Sequence, residues 1–437
     1  MKIVLVLLDG LGDRSHPVIG NKTPLQAATT PNMDRLAEIG ATGLYHAGLL
    51  GQCLPSEVAH YFLFGYHMSE YPGRGLLEAV GYDVQFDDND VLALAHLSGV
   101  APHDRKLILT HKASSFEADR KRIAQLYRDI SSYESGGIHF TLVQTRLNNA
   151  ILVMKGKASP YISDSDPMTL GRPMAMIRPL IDNPEPEPSS RTANALNSYL
   201  DYCRRVLTEH GVNRERQREN LPVANFLATQ RCGRRRAAEP FASRWGMNGA
   251  VIASGAVYKG IARELGMGFI KVKDTSNPAE DLRERVRLAM NDNSHDFLHV
   301  HTKVPDEAAH KTDPTSKMSA ISELDKGLDE LVAAVERRDN LLAIVAADHS
   351  TPCSSQLIHS GEPVPVVMAG PVIRRDEVAR FDEVACAAGC LGVLRGKELL
   401  LMALNFAERS ALTTHRLSPR ETWYFPDDYE AFEEGKE

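Results

Sequence analysis

Long apolar runs are missing from this chain. None of its hydrophobic stretches approaches the roughly 20 residues that a membrane-spanning helix needs. Cysteine is scarce: Cys53, Cys203, Cys232, Cys353, Cys386 and Cys390 are the only six in 437 residues. Their spacing fits no zinc module, so free thiols are expected instead of a disulfide framework. An excess of positive charge is lacking too. The formal net charge is -7, which excludes the basic footprint of a nucleic-acid binder. A signal-type cleavage site is also absent. The opening MKIVLVLLDGLGD has an apolar stretch of about signal-core length, but it runs straight into Asp9 and two glycines. It reads as a buried parallel strand ending at a site, and a cytoplasmic location is expected. There is no internal repeat.

What is present is ordinary globular material, with 43% hydrophobic and 24% charged residues, enough for two or three domains. Continuous apolar runs mark strands: KIVLVLL, GAVIAS, FLHVHT, LLAIVAA and PVPVVMA. Such runs suit a parallel sheet covered on both faces. Between them lie helical patterns, PNMDRLAEIG, VYKGIARELG, AEDLRERVRLAM and the long MSAISELDKGLDELVAAVERR, read as one helix. From about residue 80 to about residue 235 the texture changes. Alternating segments such as IHFTLVQT and NAILVMK mix with a polar helix, and the Pro-rich DNPEPEPSS leads into another. The expected organisation is an α/β doubly wound domain built from 1–79 plus 236–437, with an α+β cap over 80–235 inserted in it. The final SPRETWYFPDDYEAFEEGKE is acidic and aromatic, and reads as a surface-docked tail.

Seven residues spread along the chain have the types that two divalent cations take: Asp9, Ser56, Asp306, His310, Asp348, His349 and His359. Carboxylates and imidazoles are suitable ligands, and Ser56 adds a hydroxyl that a cation can help ionise. Asp306 and His310 stand at i and i+4, so one helical turn aims both at one ion. Alone, that pair reads more often as a capping aspartate and a surface histidine. Asp348–His349 directly follow an apolar strand, where a charged pair needs a partner or a metal. Asp9 ends the first strand, where its alternative reading is a helix N-cap. Ser56 precedes the helix-like AHYFLFGY and is either a nucleophile or a plain N-cap serine.

Several strings then resemble one family: LDGLGD with NKTPLQAATTPNMD, PSEVAHYFLFGYHM, YPGRGLLEAVG, SDSDP, GMNGAVIASGAVYKGIARELGM, PDEAAH, and ADHSTP with HSGEPVPVVMAGP. Together they resemble the archaeal-type, cofactor-independent phosphoglycerate mutases of the alkaline phosphatase superfamily, over essentially the whole chain. The resemblance implies a metal-dependent phosphomutase interconverting 3- and 2-phosphoglycerate. It assigns Asp306, His310 and His359 to one ion, and Asp9, Ser56, Asp348 and His349 to the other. Ser56 would attack the phosphate in line and become phosphoserine. Manganese is the family's usual ion, with zinc, cobalt and magnesium as alternatives. The implied substrate is a small phosphorylated carboxylic acid, with no nucleic acid or membrane partner.

The match departs from the family on the substrate side. A string similar to DVAFRCNFATV becomes DVLALAHLSGV, with Leu94 at an arginine position and His96 at an asparagine. LTHKASS stands for DRRAGR and leaves His111 and Lys112 as the nearest basic groups. Asn148–Asn149 replace an His-Arg pair, QRCGRRR replaces RGAG, and Glu57 replaces an aspartate. The remaining candidates for anionic groups are Arg74, Arg231 and Lys259. Asp164 in SDSDP is a candidate proton relay at the sugar hydroxyl, or a turn aspartate. Arginine forks grip carboxylate and phosphate bidentately, so their loss changes the pocket. The alternatives to a mutase are a phosphohydrolase, an enzyme for another phospho- or phosphono-carboxylate, and a non-catalytic binding relic.

Overall fold

The computed structural model describes residues 1–434 except 117, 338, 355, 427 and 428. Its strands are β1 (Lys2–Leu8), β2 (Ala41–His46), β3 (Val91–His103), β4 (Lys106–His111), β5 (Ser132–Ser135), β6 (Ile138–Arg146), β7 (Asn149–Gly156), β8 (Phe226–Gly233), β9 (Gly249–Ala253), β10 (Gly268–Lys271), β11 (Phe297–Thr302), β12 (Leu341–Ala346), β13 (Val364–Ala369) and β14 (Gly392–Arg395). The chain folds as two compact units, Met1–Tyr71 with Ala238–Glu437, and Pro72–Ala237. All six cysteines are free. Among the described residues no helix is long and apolar enough to cross a membrane.

The first unit is built on an eight-stranded sheet in the order β10-β9-β11-β1-β12-β13-β2-β14. β1, β11 and β12 are buried along nearly their whole length, as continuous apolar runs require. Helices Pro31–Ile39, Ala256–Glu264 and Pro278–Asn291 lay apolar residues on it, among them Leu36, Ile261 and Val286. Register places the site. β1 runs parallel to β11 with Leu8 beside Thr302, and parallel to β12 with Leu7 beside Ala346. Asp9, Lys303 and Asp348 therefore leave the sheet at one edge, the carboxyl ends of three parallel strands, where open α/β sheets bind ligands.

Two expectations need correction here. PVPVVMA does form a strand, but β13 runs antiparallel to both β12 and β2. Parallel neighbours need a crossover element, and residues 347–363 form no helix among the described residues. The long helix is also interrupted. It runs as Pro314–Asp325, a 3₁₀ turn at Lys326–Leu328, and Asp329–Glu336. A Cβ on Gly327 would lie 2.6 Å from the Ala279 carbonyl oxygen, so this turn packs too tightly for a larger residue. The buried Asp325 carboxylate at the break accepts the amides of Asn32 (3.1 Å) and Met33 (2.8 Å), capping helix Pro31–Ile39 from outside.

The second unit holds a six-stranded antiparallel sheet ordered β4-β3-β7-β6-β5, with β8 also paired to β3. Helix Pro186–Thr208 starts with proline at its first position and buries Ala193, Leu196, Leu200, Cys203 and Leu207 at helical spacing. The unit begins at Pro72, not at residue 80. Helix Arg74–Gly81 belongs to it because Leu76, Ala79 and Val80 pack on Leu92, Ile151 and Val153. The carboxyl-terminal stretch docks on the first unit through Tyr424, whose hydroxyl donates to the Ser243 carbonyl at 3.3 Å. Residues 427, 428 and 435–437 of that tail lie outside the described residues.

Candidate active site

Three loops leaving the sheet edge and one helix start build the site. Asp9 follows β1, and its amide donates to the Thr302 carbonyl at 3.0 Å. Gly10 follows with a φ of +68°, and a Cβ there would lie 2.5 Å from Thr351 Oγ1 and 2.8 Å from Asp306 Cβ. Only glycine fits this bend, and its amide donates to Asp348 Oδ1 at 3.2 Å. Ser56 opens helix Ser56–Leu63 as its first turn residue. Pro55 takes the cap position and Ser56 makes no capping bond, so the N-cap reading is set aside. Its Oγ instead lies 3.1 Å from His349 Nε2 and 3.5 Å from Asp9 Oδ1.

Asp306 lies in the short helix Val304–Ala309, with His310 at its carboxyl end. Its Oδ1 is 3.3 Å from His310 Nε2 and 3.6 Å from His359 Nε2. It also accepts the Thr351 hydroxyl at 2.9 Å. His359 Nδ1 donates to the Leu54 carbonyl at 2.7 Å, which turns Nε2 toward Asp306. Its ring stacks on His349 with centroids 3.8 Å apart. The seven residues thus come together as two groups that share Asp306: Asp306, His310 and His359, and Asp9, Asp306 and His349. Ser56 and Asp348 border the second of them.

Electrostatics follow from burial and crowding. Burial alone would raise the pKa of Asp9, but Lys303, His301 and His349 hold it below the ordinary carboxylate range. Asp306 is likewise depressed against burial, by His310, His359 and Lys303. Burial opposes charge on His349, yet Asp348, Asp9 and Asp306 outweigh it and raise its pKa to about 9. Burial lowers that of His60 to about 4.

This donor set fits divalent cations. Oxygens of Ser56, Asp9 and Asp348 lie 3.1, 3.4 and 3.2 Å from His349 Nε2, more acceptors than one ring nitrogen can serve. Asp348 Oδ2 is buried and, among the described residues, receives no well-directed hydrogen bond, not even from the His349 ring. Buried carboxylates in this number are costly unless cations balance them. A third group, Asp13, His16 and Cys353, has compatible atoms but a different purpose. Its carboxylate is already paired with the fully buried Lys317 at 3.2 Å.

Comparison with known proteins decides the family. The metalloenzyme superfamily profile matches residues 1–406. The chain is 38% identical to 2,3-bisphosphoglycerate-independent phosphoglycerate mutase 2 of Methanocaldococcus jannaschii, over 98% of this chain and 99% of the relative. It is 34% identical to 2,3-bisphosphoglycerate-independent phosphoglycerate mutase of Methanopyrus kandleri, over 93% and 97%. The chain belongs to the 2,3-bisphosphoglycerate-independent phosphoglycerate mutases. The solved cofactor-independent phosphoglycerate mutase of Thermoplasma acidophilum superposes with a TM-score of 0.60 at 29% identity, covering 93% of this chain and all 100% of that one. A solved Pyrococcus horikoshii structure gives 0.73 at 26% identity, covering 94% and 98%. Membership in this metalloenzyme family and the carboxylate–imidazole clusters agree on dependence on divalent metal.

The second unit of this phosphoglycerate mutase-type chain holds most of the residues expected at the substrate. Arg74 and Arg231 line one cavity of about 280 Å³ with Leu94, His96, Asn149 and Gln230. His96 Nε2 is 3.3 Å from Asp166 Oδ2. Arg74 Nε donates to Glu78 at 2.8 Å. The exposed Asp164 accepts the Arg231 amide at 2.7 Å, which holds the Arg231 backbone at a φ of +56°. Asn148 is structural: buried, it donates to the Leu97 carbonyl at 2.8 Å. Lys259 lies in the first unit, half-buried on helix Ala256–Glu264.

Sequence reasoning missed four neighbours of the phosphoglycerate mutase site. Tyr258 donates its hydroxyl to Asp9 Oδ2 at 2.8 Å, and His301 Nε2 lies 3.1 Å from the same oxygen. Thr351 bridges Asp306 and His349 Nδ1, the latter at 3.2 Å. Lys303 Nζ lies 3.6 Å from Asp9 Oδ2 and 3.4 Å from Asp306 Oδ2. The signal was legible in FLHVHTK. Two histidines inside an otherwise apolar strand must find buried polar partners.

Proposed function

We propose that this chain is a metal-dependent phosphomutase that interconverts 3- and 2-phosphoglycerate through a phosphoserine on Ser56. The observation that carries the reading is the placement of Ser56 Oγ, 3.1 Å from His349 Nε2 at the start of a helix and beside three buried carboxylates. Divalent cations, manganese first among them, would be held by Asp306, His310 and His359 and by Asp9, Asp348, His349 and Ser56; bound there, they lower the pKa of the serine hydroxyl and neutralise phosphoryl charge.

The chain's own groups do the rest. Ser56 Oγ, its proton released to solvent, attacks phosphorus in line, the P–O bond to the sugar acid breaks, and the leaving oxygen takes up a proton through Asp164. The amino-terminal end of helix Ser56–Leu63 favours the negative phosphate formed on its first residue. Glycerate stays bound until its other hydroxyl loses a proton and takes the phosphoryl group back, leaving Ser56 free. Asp164 is assigned the proton at that hydroxyl. Arg74, Arg231 and Lys259 are assigned the anionic ends of the substrate, with guanidinium forks suited to carboxylate and phosphate. Thr351, Tyr258 and His301 orient the carboxylates and imidazoles, as outer partners of metal ligands do. The reading extends to a glycolytic role in the cytoplasm.

The test is manganese-loaded protein with 3-phosphoglycerate, following 2-phosphoglycerate and free phosphate together, with mass spectrometry of the Ser56 peptide. Isomerised product without stoichiometric free phosphate, and a phosphorylated Ser56, are expected. Ser56→Ala should abolish both while leaving Tm near the wild-type value. Turnover by Ser56→Ala at the wild-type rate would refute the covalent route.

A further inference from the structure

Each of the two carboxylates at the centre of the site divides its oxygens the same way. Asp9 Oδ1 faces Ser56 at 3.5 Å and His349 at 3.4 Å, while Oδ2 faces Lys303 at 3.6 Å beside the Tyr258 hydroxyl (2.8 Å) and His301 Nε2 (3.1 Å). Asp306 Oδ1 faces His310 and His359, at 3.3 and 3.6 Å, while Oδ2 faces Lys303 at 3.4 Å. One ammonium group therefore spans carboxylates from both candidate cation groups, on the side away from His310, His349 and His359, and shares Asp9 Oδ2 with Tyr258 and His301. Lys303 has this position because it follows β11, in register with the end of β1. Its side chain is 34% exposed, so it reaches from the buried carboxylates to solvent.

Charge balance gives the position a meaning. Asp9, Asp306 and Asp348 bring three negative charges into the protein. Among the described residues, the basic groups of the first unit that face them within 4 Å are Lys303 and the rings of His301, His349 and His60, with His310 and His359 at the rim. Two divalent ions would more than cancel three carboxylates, and an ammonium group already there would then be repelled. Between unit charges a few ångströms apart, that repulsion remains sizeable even when discounted for partial exposure. The same surplus of positive charge suits a substrate that carries both a phosphate and a carboxylate.

We infer that Lys303 is a built-in counter-cation of this site, balancing Asp9 and Asp306 in the metal-free protein and turning to the anionic substrate in the loaded enzyme. The inference rests on the metal-dependent phosphomutase reading given above. It predicts a trade: Lys303 weakens metal binding and strengthens substrate binding. A residue that merely props up the loops would do neither.

The experiment titrates chelator-stripped wild type, Lys303→Met and Lys303→Arg with manganese by calorimetry, then measures KM for 3-phosphoglycerate at saturating manganese. Lys303→Met is expected to bind manganese about tenfold more tightly, the sign set by relief of cation repulsion, and to show KM raised about tenfold or more. Lys303→Arg keeps the charge and should stay within about threefold of wild type in metal affinity. Partial exposure makes both substitutions tolerable, and Tm of each variant checks this. Unchanged or weaker manganese binding by Lys303→Met would overturn the inference, as would an unchanged KM. If the wild type itself fails to isomerise phosphoglycerate, the function reading falls, and the manganese titration still reports on the counter-charge.

Discussion

Replacing Lys317 by methionine should test how the loops of the site are held. Lys317 is completely buried, and its ammonium group donates to the Gly12 carbonyl (2.9 Å), the Thr351 carbonyl (2.8 Å) and Asp13 Oδ2 (3.2 Å). It thus ties the loop after β1 to the loop after β12. Methionine fills similar volume but leaves Asp13 buried without its cation. Breaking a buried pair in this way costs about 3–5 kcal/mol. The lower half of that range is expected, because Asp13 keeps the amides of Arg14 (2.7 Å) and Cys353 (3.1 Å) and the His16 ring (2.9 Å). At roughly 2 °C per kcal/mol for a unit of this size, Tm should fall by about 6–8 °C at pH 7. Burial alone would raise the pKa of Asp13, but Lys317, His16 and the Arg14 amide hold it below the ordinary range. A carboxyl depressed by folding stabilises above its unfolded pKa, near 4, and that stability is lost as pH falls through the folded value. The gap between wild type and variant should therefore be full at pH 7 and narrow as pH falls and Asp13 takes up a proton, sooner in the variant than in the wild type. Adding Asp13→Asn should cost less in the Lys317→Met background than in wild type, since the orphaned charge is then gone. Thermal unfolding read by circular dichroism between pH 3 and pH 7 decides this. A loss under about 1 kcal/mol, or a gap indifferent to pH, would refute the reasoning.

Other outcomes follow from the same geometry. Saturating manganese should raise Tm of the stripped protein, and chelation should reverse the shift. At a hundredfold excess over Kd, one site contributes about 2.7 kcal/mol, and an unchanged Tm would remove the case for bound cations. Arg74→Met and Arg231→Met should each raise KM for 3-phosphoglycerate about 10- to 100-fold, matching roughly 1.5–3 kcal/mol per charge-assisted bond. Manganese affinity should not change in either variant, and an unaltered KM would move the anion site away from their cavity.

Several elements could be read before any tertiary structure. KIVLVLL, FLHVHT and LLAIVAA are apolar through and through, and only burial on both faces of a sheet accommodates such runs. Charged residues placed directly after them mark a site, since Asp9 and Asp348 would otherwise carry unbalanced charge at the edge of a core. The i, i+4 spacing of Asp306 and His310 depends only on helix geometry, and their side chains lie 3.3 Å apart.

Other features depended on packing that local pattern does not encode. The antiparallel direction of β13 follows from a connection with no helix among its described residues, although its sequence resembles that of the parallel strands β1, β11 and β12. The break at Gly327 comes from the close approach of Ala279, a residue 48 positions earlier in the chain. Asn148, at a position suggestive of substrate contact, is instead used in the core of the second unit.

The sequence by itself determined the strands that carry the site and the chemical types of its ligands, because hydrophobic periodicity and residue chemistry are local properties. Only the tertiary structure decided that Asp306 is shared between both groups, that Asp13 belongs to Lys317, and that Lys303 spans Asp9 and Asp306. Each of those facts needs a charge far away in the chain. Burial makes an unpaired charge expensive, but strand register and loop closure choose its partner.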